Sequence, residues 1–146
     1  MSDYKHILLA IDLSDDSPLV CQRAQSLAKL YNAKVSIIHV VEPLSFTYGS
    51  DIPLDFSSLQ DELLLQSKNQ LLSMAKTIGV DEDDCHLVLG RPETEIHKLG
   101  IEVGSDLVVV GSHGRHGLAL IFGSTANGVL HGACCDVLAV RVKDGN

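Results

Sequence analysis

At 146 residues the chain suits a single domain with a sizeable core. Its 45% hydrophobic and 21% charged content is that of an ordinary globular protein. A formal net charge of −8 argues against a surface built for nonspecific binding to nucleic acid or anionic membrane, although a local basic pocket stays open.

The first six residues pass directly into a strand pattern without the apolar stretch of a secretory leader. No apolar run approaches the roughly 20 residues of a spanning helix, so a soluble, cytosolic protein is expected. Residues 6–11 (His-Ile-Leu-Leu-Ala-Ile) read as a buried strand, ending at Asp12. Ser14, followed by Asp15, Asp16 and Pro18, has the chemistry of a helix start, with a side-chain cap, early acids and an early proline. Val20, Ala24, Leu27, Ala28 and Tyr31 then share one helical face, and Asn32 ends the helix. Residues 35–41 form a second strand. His39 lies inside it, and its simplest reading is a buried, hydrogen-bonded histidine.

Residues 44–56 carry no clear periodicity, which suits a binding loop or a flap. A long helix follows over residues 59–78, with Leu64, Lys68, Leu71, Ala75 and Ile78 as its core stripe and Gly79 as its stop. Met74 reads as core filler. The acidic turn at residues 81–84 reads as a solvated connection. Residues 85–89 form a short strand, and Gly90-Arg91-Pro92 leads into a helix from about Glu93 to Val103. A turn at residues 104–106 opens a fourth strand.

That fourth strand, residues 107–110 (Leu-Val-Val-Val), suits a position buried on both faces of a parallel sheet. It breaks at Gly111 into a loop holding Gly111, Gly114, Gly117 and Gly123, and a helix pattern opens at Ser124 and Thr125, running to about His131. Glycines after a buried strand let backbone approach a ligand, and a helix start favours an anion. The segment therefore reads as a phosphate cradle. Arg115, His113 and His116 put cations in the same loop; a guanidinium there can clamp a phosphate, and otherwise these are exposed loop residues. Residues 136–142 form a last strand before a polar tail.

Cys21, Cys85, Cys134 and Cys135 include no C-x-x-C pair and read as reduced packing thiols. His86, His97 and His131 have no metal-ligand spacing. Five strands alternating with four helices, without internal repeat or linker, describe one α/β domain over residues 1–146. An open, five-stranded parallel sheet of order 3-2-1-4-5 with helices on both faces is expected. That order sets Asp12 and Gly111 side by side at the switch point, where ligands bind in such sheets. For Asp12 the alternative is a residue of the turn into the helix, capping alongside Ser14.

Residues 4–14 (Tyr-Lys-His-Ile-Leu-Leu-Ala-Ile-Asp-Leu-Ser), then Ala33-Lys34-Val35 through His39-Val40, resemble the opening of the universal stress protein family. Gly111-Ser112-His113-Gly114 with Gly123-Ser124 is similar to that family's ATP-binding signature. The resemblance covers about residues 3–143, and the first half is nearest the A type of proteobacteria. It implies a Rossmann-like domain of the adenine nucleotide α-hydrolase kind, binding ATP, with Mg²⁺ as a possible companion. The nucleotide-binding set expected from the residues and the resemblance together is Ala10, Asp12, Val40, Val110, Gly111, Gly114, Arg115, Gly123, Ser124 and Thr125. In it, Asp12 lies near the ribose-phosphate or its metal, the backbone of Val40 reads the adenine edge, Gly111 and Gly114 shape the loop, and Gly123, Ser124 and Thr125 hold phosphates. The resemblance also implies a homodimer paired through the last strand, from Val137 to Val142.

The family spacing is usually nine residues between the second and third glycines, whereas Gly114 and Gly123 enclose the eight residues 115–122. A missing residue shifts the amides of a phosphate loop. The A type resembles a branch that lost nucleotide binding, yet this chain keeps the glycines and Ser124. Two functions compete: a nucleotide-binding stress-response dimer, and a nucleotide-independent adaptor acting through protein partners not identified by the sequence. An enzyme is a third reading. Adenylating relatives of the fold carry Ser-Gly-Gly-x-Asp-Ser after the first strand, but residues 12–17 here read Asp-Leu-Ser-Asp-Asp-Ser, and no catalytic triad can be placed. A slow ATPase or autophosphorylation at Ser124 or Thr125 is the most chemistry expected, no faster than roughly one turnover per minute against the usual range of about 1 to 1000 per second.

Overall fold

The computed structural model describes residues 4–43, 56–112, 128–129, 132–133 and 135–141. In chain order the elements are β1 (His6–Ala10), α1 (Ser17–Tyr31), β2 (Lys34–Val41), α2 (Phe56–Thr77), a 3₁₀ turn (Glu82–Asp84), β3 (Cys85–Leu89), α3 (Pro92–Val103), β4 (Leu107–Gly111) and β5 (Asp136–Val140). Residues 128–129 and 132 are also helical, so a last helix precedes β5. The strands form one parallel sheet of order β3-β2-β1-β4-β5.

The order follows from which residues have to be buried. The central strands β1 and β4 carry consecutive apolar residues, and Ile7, Leu8, Leu9 and Val109 are fully inaccessible. Alternation sends Ile7, Leu9 and Ile11 to one face, where Ile37, Val109 and Val140 join Val20, Cys21 and Ala24 of α1 and Leu71 and Ala75 of α2. Leu8 and Ala10 face the other side with Ile38, Val108 and Val110, covered by Ile96 and Leu99 of α3 and by Val129. Right-handed crossovers in opposite directions from the centre put α1 and α2 on one layer and α3 and the last helix on the other.

The amino-terminal edge of the sheet is tightly stitched. The Asp106 carboxylate accepts the amides of Lys5 at 2.9 Å and His6 at 3.1 Å, and the Asp106 amide donates to the His6 carbonyl at 3.0 Å. The Tyr4 hydroxyl donates to Asp136 Oδ2 at 2.6 Å, and His6 Nε2 meets Ser36 Oγ at 2.8 Å. β1 is thus tied to β2, β4 and β5 before the sheet begins.

Several sequence boundaries move. α1 starts at Ser17, not Ser14, and its N-cap Asp16 makes no side-chain cap bond. α2 begins at Phe56 and ends at Thr77, and its buried stripe is Ser67, Leu71 and Ala75, with Lys68 exposed. A four-residue step along the helix keeps the small Ser67 under Leu71 and turns Lys68 to water. The acidic turn is more than a connection: it forms the 3₁₀ turn, and Asp84 pairs with Lys34 at 3.2 Å. β5 ends at Val140, with Arg141 outside it and Val142 outside the described residues. Residues 44–55 and Cys134 also lie outside them. Cys21 is packed in the core, where burial pushes its thiol up to about 11. No described helix is long and apolar enough to cross a membrane.

The last helix rests on α3 through two glycines. A Cβ on Gly128 would stand 2.7 Å from Glu93 Cβ, and one on Gly132 would stand 2.5 Å from His97 Cε1. His97 Nε2 donates to the Val129 carbonyl at 2.9 Å, locking the same contact. Because Glu93 Cβ is fixed to backbone, relief requires one helix to move. Gly128→Ala is expected to destabilise the fold by about 1–3 kcal/mol, read as a lowered urea midpoint at unchanged m-value.

Candidate functional site

The two central strands separate before their outer pairings end. The β1–β4 ladder runs Ile7↔Leu107, Leu8↔Val108, Leu9↔Val109 and stops. β1 continues beside β2 to Ala10↔Ile38, with one more bond from the Ile11 amide to the Ile38 carbonyl at 3.1 Å. β4 continues beside β5 to Gly111↔Val140, and the Ser112 amide donates to the Val140 carbonyl at 2.8 Å. Each strand leans on its outer neighbour, and a crevice opens between residues 10–12 and 110–112. This is the topological switch point, at the carboxyl end of the sheet.

Ala10, Asp12, Val110 and Gly111 therefore stand on the two sides of one crevice. Val40 stands next to it on β2. In a regular parallel ladder the amide and carbonyl of one residue point to the same neighbour, and successive residues alternate. Gly90 donates to the Val41 carbonyl at 3.0 Å, so residue 41 faces β3 and residue 40 faces β1. After the bond from the Ile11 amide to Ile38, the next rung would join the Val40 amide to the Ile11 carbonyl. β1 has left by then. His39 Nδ1 meets the Ile11 carbonyl instead, at 2.8 Å, and both residues are buried. Since the partner is a carbonyl, Nδ1 is the protonated ring nitrogen.

The exit from β1 is a self-bonded turn. Asp12 Oδ1 accepts the Ser14 amide at 3.0 Å and the Ser17 hydroxyl at 3.3 Å. Ser14 Oγ accepts the Asp16 amide at 3.4 Å, and the Ser14 carbonyl accepts the Ser17 amide at 3.0 Å. This explains why Ser14 does not cap α1: its hydroxyl serves the turn two residues on, and the helix starts beyond it. Leu13 takes φ +60°, in the left-handed region, a conformation that costs a branched residue about 1–2 kcal/mol. Its side chain packs against the core as repayment.

Sequence reasoning missed Ser17, while its reading of His39 as a buried, hydrogen-bonded histidine holds. Ser17 is 1% exposed and holds the Asp12 carboxylate. Its signal was faint, a serine five residues after an aspartate and hidden behind the better-looking Ser14. Gly114, Arg115, Gly123, Ser124 and Thr125 lie outside the described residues.

Two hollows lie elsewhere among the described residues. One, of about 360 Å³, is at the amino-terminal edge, lined by Lys29, Asn32, Lys34, Asp81 and Asp84 among others. Its opposite charges are partly spent on the Lys34–Asp84 pair. The other, of about 410 Å³, lies between Leu13 and Asn69, Gln70, Ser73 and Met74 of α2. Neither adjoins both β1 and β4, and the strand geometry makes the crevice the better candidate.

Known proteins agree with this architecture. The profile of the universal stress protein family matches residues 3–141. Universal stress protein A homolog 2 of Coxiella burnetii is 41% identical over 148 residues, spanning 98% of this chain and 99% of that one. Among solved structures, a universal stress protein in complex with cAMP is 28% identical with a TM-score of 0.62, covering 95% of this chain and 98% of that one. The universal stress protein UspA from Lactobacillus plantarum, 21% identical, shares the fold with a TM-score of 0.81 over 97% of this chain and all of its own. A profile match over nearly the whole chain and a 41% identical relative matched almost end to end make this chain a member of the universal stress protein family.

Proposed function

We propose that this universal stress protein is a cytosolic, dimeric regulator of the stress response that binds ATP, or another adenine nucleotide, in the crevice between β1 and β4. The observation that carries the reading is the parting of those strands beyond Leu9↔Val109, with Val40 left facing the gap. A relative solved with cAMP supports an adenine ligand.

The described residues fit such a ligand. The Val40 amide and carbonyl offer a donor and an acceptor side by side, the pair that an adenine edge needs. The Asp12 carboxylate suits ribose hydroxyls or a divalent cation on the phosphates, since an anion beside bare phosphate is repelled. Gly111 ends β4 without a side chain, so a ligand can approach the backbone closely. Gly114, Arg115, Gly123, Ser124 and Thr125 complete the phosphate end on the family's pattern, and Ala10 and Val110 wall the crevice. β5 is an edge strand, and pairing of residues 137–142 across a two-fold axis would cover its open backbone groups.

The second reading is a nucleotide-independent dimeric adaptor, favoured by the eight-residue span between Gly114 and Gly123. Neither reading includes an enzyme. ATP turnover is expected to stay below roughly one per minute.

Protein purified without added nucleotide, then denatured, is expected to release an adenine nucleotide, or to give micromolar heats of binding with ATP and Mg²⁺. An empty protein that is silent in calorimetry would sink this reading in favour of the adaptor. In a separate test, Asp12→Ala removes the acceptor of the Ser17 hydroxyl, and the fold is expected to lose about 1–3 kcal/mol. The same change is expected to weaken ATP binding; an affinity equal to wild type would remove Asp12 from the site.

A further inference from the structure

At the end of β1 two donors compete for one backbone carbonyl. With the Ile11 amide bonded to Ile38, strand geometry makes the Ile11 carbonyl the natural acceptor for the Val40 amide. Ile11 is 7% exposed, so its carbonyl has to be paired with something. His39 is one residue before Val40 and projects to the face that carries Ile11. Its Nδ1–H takes the carbonyl at 2.8 Å. The ring itself is 6% exposed, so packing holds it in place.

We propose that His39 is a positioning residue of the nucleotide site: its ring occupies the Ile11 carbonyl and thereby leaves the Val40 amide turned to the crevice for a ligand. The inference deepens the adenine-nucleotide reading and rests on it for its ligand. It also accounts for a buried histidine among the apolar residues of 37–41. A leucine there would fill the space, but the Ile11 carbonyl would then have the Val40 amide as its nearest donor. The first rung past Ile38 would close, and the edge that reads the base would be lost. His39 also fixes the peptide between Ile11 and Asp12, from which the Asp12 carboxylate is set.

Two variants separate this role from ordinary packing. In His39→Asn the side-chain amide nitrogen can stand where Nδ1 stands; in His39→Leu no donor remains. Calorimetry with ATP and Mg²⁺ is expected to show His39→Asn within about threefold of wild type and His39→Leu weaker by about tenfold. Amide hydrogen exchange in the nucleotide-free protein gives a readout that needs no ligand. At Val40 it is expected to be slower by about tenfold in His39→Leu, because the closed rung protects the amide. Loss of packing alone would speed that exchange, so the sign distinguishes the two roles. Unchanged or faster exchange at Val40 in His39→Leu, or His39→Asn behaving like His39→Leu, would overturn the proposal. Should His39→Leu fail to fold, the ¹⁵N shifts of the wild-type ring decide: a protonated Nδ1 sustains the bond, and an unprotonated one removes it. A wild type that binds no nucleotide ends the adenine reading, while exchange at Val40 still decides what His39 does.

Discussion

A parallel sheet covered on both faces has to pair every peptide group, and that requirement bears hardest where a central strand leaves it. β1 meets it at Ile11 and Asp12. The amide of Ile11 is taken by β2 backbone, its carbonyl by the His39 ring, and the next turn is closed by the carboxylate of Asp12. Leu13 accepts a left-handed backbone so that the chain can reach α1 on one face while β4 feeds the other. The crevice is the space left by that divergence.

The opposite edge shows why the opening is local. There Asp106 gathers two amides from the start of β1, and Tyr4 reaches across to Asp136 at the start of β5. For the Asp106 carboxyl, burial works upward, but the amides of Lys5 and His6 outweigh it and hold the group below its ordinary range. The Tyr4 phenol, whose proton is given to Asp136, is pushed up to about 12. Both groups thus keep their charge states throughout neutral pH, so titration does not break the stitching there. A sheet pinned at one edge and parted at the other presents a wedge whose depth is set by the last common rung, Leu9↔Val109.

The strand order and the place of the crevice were legible because they depend on hydrophobic runs and crossover handedness, both of which are local and coarse. The apolar runs at residues 7–10 and 107–110 could only be central strands. What escaped the sequence were side chains whose partners are distant or whose chemistry is shared. Ser14 looks like the cap on paper, but its hydroxyl serves the Asp16 amide, and the helix opens at Ser17, whose hydroxyl goes to Asp12. Ser67 and Lys68 are neighbours about 100° apart around the helix axis, and Ser67 is the one that faces the core. His39 was readable as buried and bonded, but its partner lies on the adjacent strand, 28 residues away in the chain. The phosphate end, from Gly114 to Thr125, rests on the family's pattern and on the chemistry of glycine loops.

That division of the site bears on the short glycine span. On the proposed reading the base and the ribose are met by strand ends, Val40 on β2 and Asp12 just past β1. The chain between Ser112, held by the Val140 carbonyl, and Gly128, seated on Glu93, is anchored at both ends. One residue fewer removes at most about 3.5 Å of reach, a small part of what residues 113–127 can span. Reach is therefore not what the shortening alters. It alters which amides arrive beside which phosphate oxygens, because a change of one residue renumbers every donor after it. On the proposed reading, adenine recognition is insulated from the shortening, and discrimination among the mono-, di- and triphosphate is what it changes. A stress regulator that reads nucleotide charge rather than nucleotide presence would be tuned at that place.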